Sequence, residues 1–226
     1  MKILVVAPHP DDELLGCGGT LLKKASEGHT IGWLIVTSMH EKDGWPIEKI
    51  KSRSNEIEEV RKGLQIEDKN LFQLNFPTAQ LDTLPMSNLI KNFSDVFNDF
   101  QPDEVFLPHP GDVHSDHRVC FEASMACTKW FRYPSVKRVL TYETISETDA
   151  MLDSTRNFKP TLFVNISMTL SRKWELLQIY KSEMQQFPFP RSKEVVNSLA
   201  RFRGSQSGFQ AAEAFCILRE REDNNE

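Results

Sequence analysis

Ile3-Leu4-Val5-Val6-Ala7, then Pro8-His9-Pro10-Asp11-Asp12-Glu13, then a helical period closed by Gly28, then Thr30-Ile31-Gly32-Trp33-Leu34-Ile35-Val36-Thr37: this opening stretch decides the fold. An unbroken apolar, β-branched run is the mark of a strand buried on both faces, so 2–7 and 30–37 read as strands and 17–27 as the helix between them. Strand, helix, strand implies a right-handed parallel crossover. Working outward, a long helix is expected at 48–63, a strand at 71–74, a helix at 86–99, a strand at 105–107 and a helix at 116–131. Strands at 136–142 and 161–166, a helix at 168–184, a bend at Phe187-Pro188-Phe189-Pro190 and a helix at 192–202 complete the reading. The alternation predicts an α/β fold: one domain over 1–226, with a Rossmann-like, doubly wound, mostly parallel sheet and helices on both faces. The acidic stretch 220–226 reads as a solvated tail.

A chain of 226 residues buries on the order of 70–75% of its unfolded surface as one domain, enough for a core without staples. The net charge of −5, with no basic stripe, argues against a nucleic-acid partner. Cys17, Cys120, Cys127 and Cys216 form no C-x-x-C pair and fit reduced thiols in a cytoplasmic protein. The run 3–7 is too short for a signal core or a membrane span, so neither export nor stable membrane insertion is expected.

The turn after the first strand concentrates an imidazole and three carboxylates in His9, Asp11, Asp12 and Glu13, stiffened by Pro8 and Pro10. In an open α/β sheet, ligands bind past the carboxyl ends of the strands, which is where this turn lies. One acid suffices to cap a helix; three with a histidine exceed that need. Gly16-Cys17-Gly18-Gly19 does not make a dinucleotide loop, because the third glycine of G-x-G-x-x-G would fall at Leu21 and the acids would repel a pyrophosphate. Cys17, with no histidine placed to activate it, reads as a small packing residue.

A second cluster follows the strand 105–107. His109, Asp112, His114, Asp116 and His117 hold three of the chain's six histidines. Parallel strands share direction, so both clusters emerge on one edge of the sheet and can meet. Imidazoles and carboxylates so assembled suit a catalytic divalent metal with an open position, and Asp116 is open to three roles: ligand, helix cap or partner to a histidine's second nitrogen. His29 and His40 lack such company and read as non-functional. Trp33 and Val36 read as sheet core, Trp130 and Phe131 as packing on the helix before them, and the Phe187–Pro190 bend as cover for a core edge.

The sequence A-H-P-D-D-E at 7–13, less its first proline, with H-S-D-H at 114–117 resembles the LmbE/PIG-L family of zinc-dependent N-acetylglucosaminyl de-N-acetylases. Arg53 and Glu56, Tyr142-Glu143 and Ala212-Glu213-Ala214-Phe215 extend the likeness over most of the chain. The resemblance implies Zn²⁺ on His9, Asp12 and His117, Asp11 as general base, His114 assisting the oxyanion or leaving group, and Asp116 orienting that histidine. It implies Arg53 as a substrate-binding residue, and independently Ile50, Ile57, Val60 and Leu64 mark an apolar helix face beside it.

The implied reaction is removal of an N-acetyl group from an N-acetylglucosamine-containing conjugate by a metal-activated water, giving acetate and a free amino sugar. The expected partner is an acetylated amino-sugar small molecule, and related proteins suggest a homo-oligomer. Histidine–carboxylate sets also accept other divalent ions. A zinc amidase acting on another acylated amine, or a metal-binding protein without turnover, are the alternatives. Ser38–Pro46 and 147–159 carry no family landmark and are expected to shape the substrate pocket.

Overall fold

The apolar run forms β1 (Lys2–Ala7), with every residue from Ile3 to Ala7 buried. Successive side chains of a strand point to opposite faces. Accordingly Ile3, Val5 and Ala7 enter one apolar layer, and Leu4 and Val6 enter another. This computed structural model describes residues 1–222. From the amino end its elements are β1, α1 (Asp12–Ser26), β2 (Thr30–Ser38), α2 (Ile47–Gly63), β3 (Leu71–Pro77), α3 (Met86–Phe100), β4 (Glu104–Pro108) and α4 (Ser115–Ala126). Then follow β5 (Arg138–Tyr142), β6 (Leu162–Asn165), α5 (Leu170–Leu177), α6 (Lys193–Ser205) and β7 (Ala212–Glu220).

The seven strands form one sheet in the order β3-β2-β1-β4-β5-β7-β6. The first five are parallel, and β7 runs antiparallel between β5 and β6. Leu14, Ile57, Val60, Leu176 and Val196 bring α1, α2, α5 and α6 onto one face, while Leu89, Phe93, Phe97, Cys120 and Ala123 bring α3 and α4 onto the other. This is the doubly wound α/β arrangement expected. Chain order reverses direction across β1 and β4, which opens a crevice at their carboxyl ends.

Several boundaries differ from the sequence reading. The first helix starts at Asp12, five residues before the expected 17, and breaks at Cys17 (φ −143°, ψ 16°). The glycines there serve close packing: a Cβ on Gly16 would lie 2.1 Å from the Tyr142 ring, and one on Gly19 would press Ile166. The helix expected to 131 stops at Ala126, and Trp130 and Phe131, read as packing residues, are each 62% exposed. The helix expected over 168–184 spans only 170–177. Phe187, in the bend expected to cover a core edge, is exposed. The strand β7 was not foreseen, and it runs through Glu220, where the solvated tail was expected to begin; 223–226 lie outside the described residues. Trp33 and Val36 are fully buried as expected, and all four cysteines are free thiols. Among the described residues no helix is long and apolar enough to cross a membrane.

Candidate active site

The turn leaving β1 and the loop leaving β4 meet at the crevice. His9 Nδ1 lies 3.3 Å and His117 Nε2 3.2 Å from the same oxygen, Asp12 Oδ2. The outer nitrogen of each ring meets a carboxylate: His9 Nε2 and Asp116 Oδ2 are 3.0 Å apart, and His117 Nδ1 and Asp112 Oδ2 2.8 Å. A carboxylate only accepts, so each imidazole carries a proton on its outer nitrogen, and with a metal ion in the cluster each inner nitrogen would turn a lone pair to it. Both carboxylates are themselves fixed. Asp116 accepts from the amides of Ala79 and Leu81 at 2.7 and 3.1 Å, and Asp112 from Thr148 Oγ1 at 2.6 Å.

His9, Asp12 and His117 thus offer three ligand atoms within 4.8 Å of one another. His117 Nε2 is buried and, among the described residues, makes no hydrogen bond, despite its closeness to Asp12. A positive charge, a proton or a metal ion, must lie between that nitrogen and the carboxylate, and two imidazoles with one carboxylate fit a divalent ion. A second set, His9, His114 and Asp116, is as compact. It fits less well: Asp116 Oδ2 already serves His9 and Ala79, and His114 Nδ1 accepts from the Asp116 amide at 3.1 Å as the cap of α4.

The electrostatics agree. Burial lowers the affinity of His117 for a proton, yet Asp12 and Asp112 raise its pKa to about 10; burial likewise opposes His9, which Asp116 and Asp12 raise to about 9. Burial pushes Asp12 up, but His117 and His9 hold it well below the usual carboxylate range. The cluster is a sink for positive charge. His114 differs: burial, reinforced by His9, lowers it to about 4. It is therefore neutral near pH 7, and because Nδ1 accepts, its proton sits on Nε2.

Asp11 stands with φ 131° and ψ −27°, a left-handed backbone that costs a non-glycine residue about 1–3 kcal/mol. Two contacts hold it there. Its amide donates to Glu13 Oε2 at 3.0 Å, and Arg191 Nη1 donates to its Oδ2 at 2.7 Å. Glu13 is buried and takes a further bond from Tyr180 Oη at 3.1 Å. Burial raises Asp11 to about 7 against the opposing field of Arg191. Arg191 also bonds Ser146 Oγ at 3.0 Å and lies 3.6 Å from both Glu147 and Glu183.

Arg53 borders the same space, but its donors are engaged by this chain: Nη1 reaches Pro10 O at 2.8 Å, Nη2 reaches Glu183, and Nε lies 3.1 Å from Glu56. Its guanidinium rests 5.1 Å from the Tyr180 ring centroid. A cavity of about 520 Å³ opens beside His9, Asp11 and His114 and continues past Arg53 and Arg191 to Trp45 and Asn75.

The six residues proposed from the two motifs therefore gather in one place, with Arg53 beside them. Asp116 differs from expectation in its partner: it touches His114 only through its amide, and its carboxylate meets His9. His40, read as non-functional, lines the cavity. Sequence reasoning assigned no role to Asp112, although it lies five residues before His117 in the quoted loop. Arg191 and Glu183 left no local signal, since only folding brings them to Asp11, while Glu147, which opens the 147–159 stretch expected to shape the pocket, lines the cavity. His109, in contrast, bonds the Arg156 carbonyl at 3.1 Å and packs on Phe158.

Residues 4–128 match the family described as GlcNAc-PI de-N-acetylase, PIG-L. The chain belongs to the PIG-L/LmbE-like deacetylase family. Among its curated relatives, the diacetylchitobiose deacetylase of Thermococcus kodakarensis is 25% identical over 94% of this chain and 81% of its own length. The uncharacterized deacetylase YaiS of Escherichia coli is 28% identical over 64% and 74% respectively. The solved structure of the conserved protein TT1542 from Thermus thermophilus superposes with a TM-score of 0.78 at 25% identity, covering 99% of this chain and 97% of that one. The N,N'-diacetylchitobiose deacetylase of Pyrococcus horikoshii gives 0.74 at 22% over 96% and 84%, a likeness of fold. A PIG-L/LmbE-like protein with this buried His/Asp cluster is a metal-dependent hydrolase of the deacetylase type.

Proposed function

We propose that this PIG-L/LmbE-like enzyme removes the N-acetyl group from an N-acetylglucosamine-containing conjugate, with Zn²⁺ on His9, Asp12 and His117. The observation that carries the reading is the convergence of two inward imidazole nitrogens on one Asp12 oxygen, 3.3 and 3.2 Å away. When bound, the ion lowers the pKa of a coordinated water and polarises the acetyl carbonyl. Asp11 takes the proton of the attacking water. Arg191 engages Asp11 Oδ2, which leaves Oδ1 for that task. His114, with its proton on Nε2, donates to the oxyanion that develops on the acetyl oxygen. Asp11 then returns its proton to the departing amine, and the products are acetate and the free amine. Asp116 and Asp112 hold the outer nitrogens of His9 and His117 and so fix their tautomers. Arg53 lines the cavity as a substrate-binding residue would, and it also holds Pro10 and Glu183 in place.

The test is a pair of substitutions. Asp11→Asn retains zinc and loses about 10²–10⁴-fold in turnover; His9→Ala loses the metal. Both are followed by metal analysis and by acetate release from N-acetylglucosamine conjugates. A metal-free Asp11→Asn protein would exchange the roles of the two adjacent aspartates, and release of longer acyl groups in preference to acetate would move the activity to a different acylated amine.

A further inference from the structure

The carboxylates of Asp11, Glu147 and Glu183 all line the cavity, and two of them are occupied. Asp11 accepts from Arg191 Nη1 at 2.7 Å, and Glu183 accepts from Arg53 and, at 2.9 Å, from Ser182 Oγ. Among the described residues the carboxylate of Glu147 accepts no hydrogen bond, and Arg191 Nη2 stands 3.6 Å from its Oε1, beyond hydrogen-bond reach. Glu147 is half-buried, and burial raises its pKa against the opposing pull of His117. A carboxylate that has given up water without gaining a donor favours any donor or cation that enters the cavity.

The turn that carries Glu147 is tightly held. It follows β5 at the carboxyl edge of the sheet, and Ser146 lies in the left-handed region at φ 76°. A serine persists there only where its neighbours fix it, and such strain gathers at functional sites. The Ser146 amide donates to Asp149 Oδ1 at 2.6 Å, and its hydroxyl bonds Arg191 Nε at 3.0 Å. The Glu147 amide donates to the Thr144 carbonyl at 3.1 Å, and the Glu147 carbonyl accepts from the Val113 amide at 3.2 Å. Thr148, the next residue, bonds Asp112, which holds His117. Glu147 is thus tied to the metal ligands on one side and to Arg191 on the other.

Its place suits one part of the reaction. Asp11 and Glu147 flank a single guanidinium, so the nitrogen that Asp11 protonates departs within about that guanidinium's span of Glu147. An acetamide nitrogen carries one N–H, which needs an acceptor once water is excluded. When the C–N bond breaks and the C–O bond forms, both protons of the water end on that nitrogen, which is largely an ammonium near pH 7. Glu183 has its donors and Asp11 is neutralised by Arg191, which leaves Glu147 to meet the new charge.

We infer that Glu147 accepts the N–H of the scissile amide and becomes the counter-ion of the amine product, a substrate-binding residue specific for the nitrogen side of the bond. The inference rests on the deacetylase reading and deepens it. The test compares glucosamine with glucose near pH 7 on the zinc-loaded enzyme, as inhibitors of acetate release from N-acetylglucosamine and by calorimetric titration. Glucosamine should bind more tightly than glucose, and Glu147→Gln should cut that preference by about tenfold, with Glu147→Asp retaining part of it. Zinc content should stay at the wild-type level in both variants. An unchanged preference in Glu147→Gln overturns the inference; if kcat falls alongside it, Glu147 acts only through Arg191. If the wild-type enzyme releases no acetate from any N-acetylglucosamine conjugate, the deacetylase reading fails by itself, and the titrations still decide whether Glu147 binds the amine.

Discussion

Asp11 is the most constrained residue of the site. Its backbone sits where a side chain is unfavourable, its amide is tied to buried Glu13, and its carboxylate is tied to Arg191. A base fixed this way meets its water without searching, and a displacement of about 1 Å from such a position can cost on the order of 10²-fold in rate. Arg191→Ala should therefore lower kcat by about ten- to a hundredfold while zinc content and KM stay near wild type. Arg191→Lys should recover part of the loss. Steady-state kinetics with metal analysis separates this from a folding defect, and lost zinc in Arg191→Ala would make Arg191 a support of the metal cluster instead. The motif His9–Glu13 was legible because its residue types are improbable together in a turn. Arg191 was not assigned, because a residue's neighbours in space leave no mark on its neighbours in sequence, whereas Asp112 stands in the quoted loop but spacing alone does not tell a histidine's partner from a surface acid.

At the scale of elements, the break in α1 is the instructive case. The distortion at Cys17 frees amides that an unbroken helix would have used, and Glu213 from β7 accepts from Gly19 and Thr20 at 2.8 and 2.7 Å. Lys173 of α5 completes the arrangement, 2.7 Å from Glu213 and 2.9 Å from the Leu15 carbonyl. All of this is buried. Removing one partner of a buried ion pair costs about 3–5 kcal/mol, because the other charge is left uncompensated. Glu213→Ala should lower stability by about that amount, seen as a fall in the urea midpoint. An unchanged midpoint would mean that water replaces the carboxylate freely. This also explains why β7 escaped sequence reading: a buried glutamate near its start, and polar residues toward its end, disguise a strand whose pairing is with two sequence-distant neighbours. The strands β1, β2 and β4 were readable because burial on both faces gives each an unbroken buried run, Ile3–Ala7, Ile31–Val36 and Val105–Leu107.

For the whole molecule, the metal cluster lies at the rim of a sheet whose two apolar layers do not depend on it. Chelation should leave the protein folded and only lower its melting temperature. With metal at about a hundred times its dissociation constant, binding contributes about 2.7 kcal/mol. For a chain of this length each kcal/mol moves the midpoint by about 2–4 °C, so a fall of about 5–10 °C on chelation, reversed by zinc, is expected in a thermal melt. Unfolding of the apo protein at room temperature would show the ion to be structural.

Sequence alone determined the alternation of buried strands and helices, the doubly wound α/β class and the two motifs that meet at one edge, because hydrophobic period and residue type are local properties of a chain. Tertiary structure decided the rest. Which carboxylate grips which histidine, that Asp116 serves His9, that Arg191 clamps Asp11 and that Trp45 and Asn75 share a wall are distances between segments far apart in the chain. Such distances are fixed only when the layers pack.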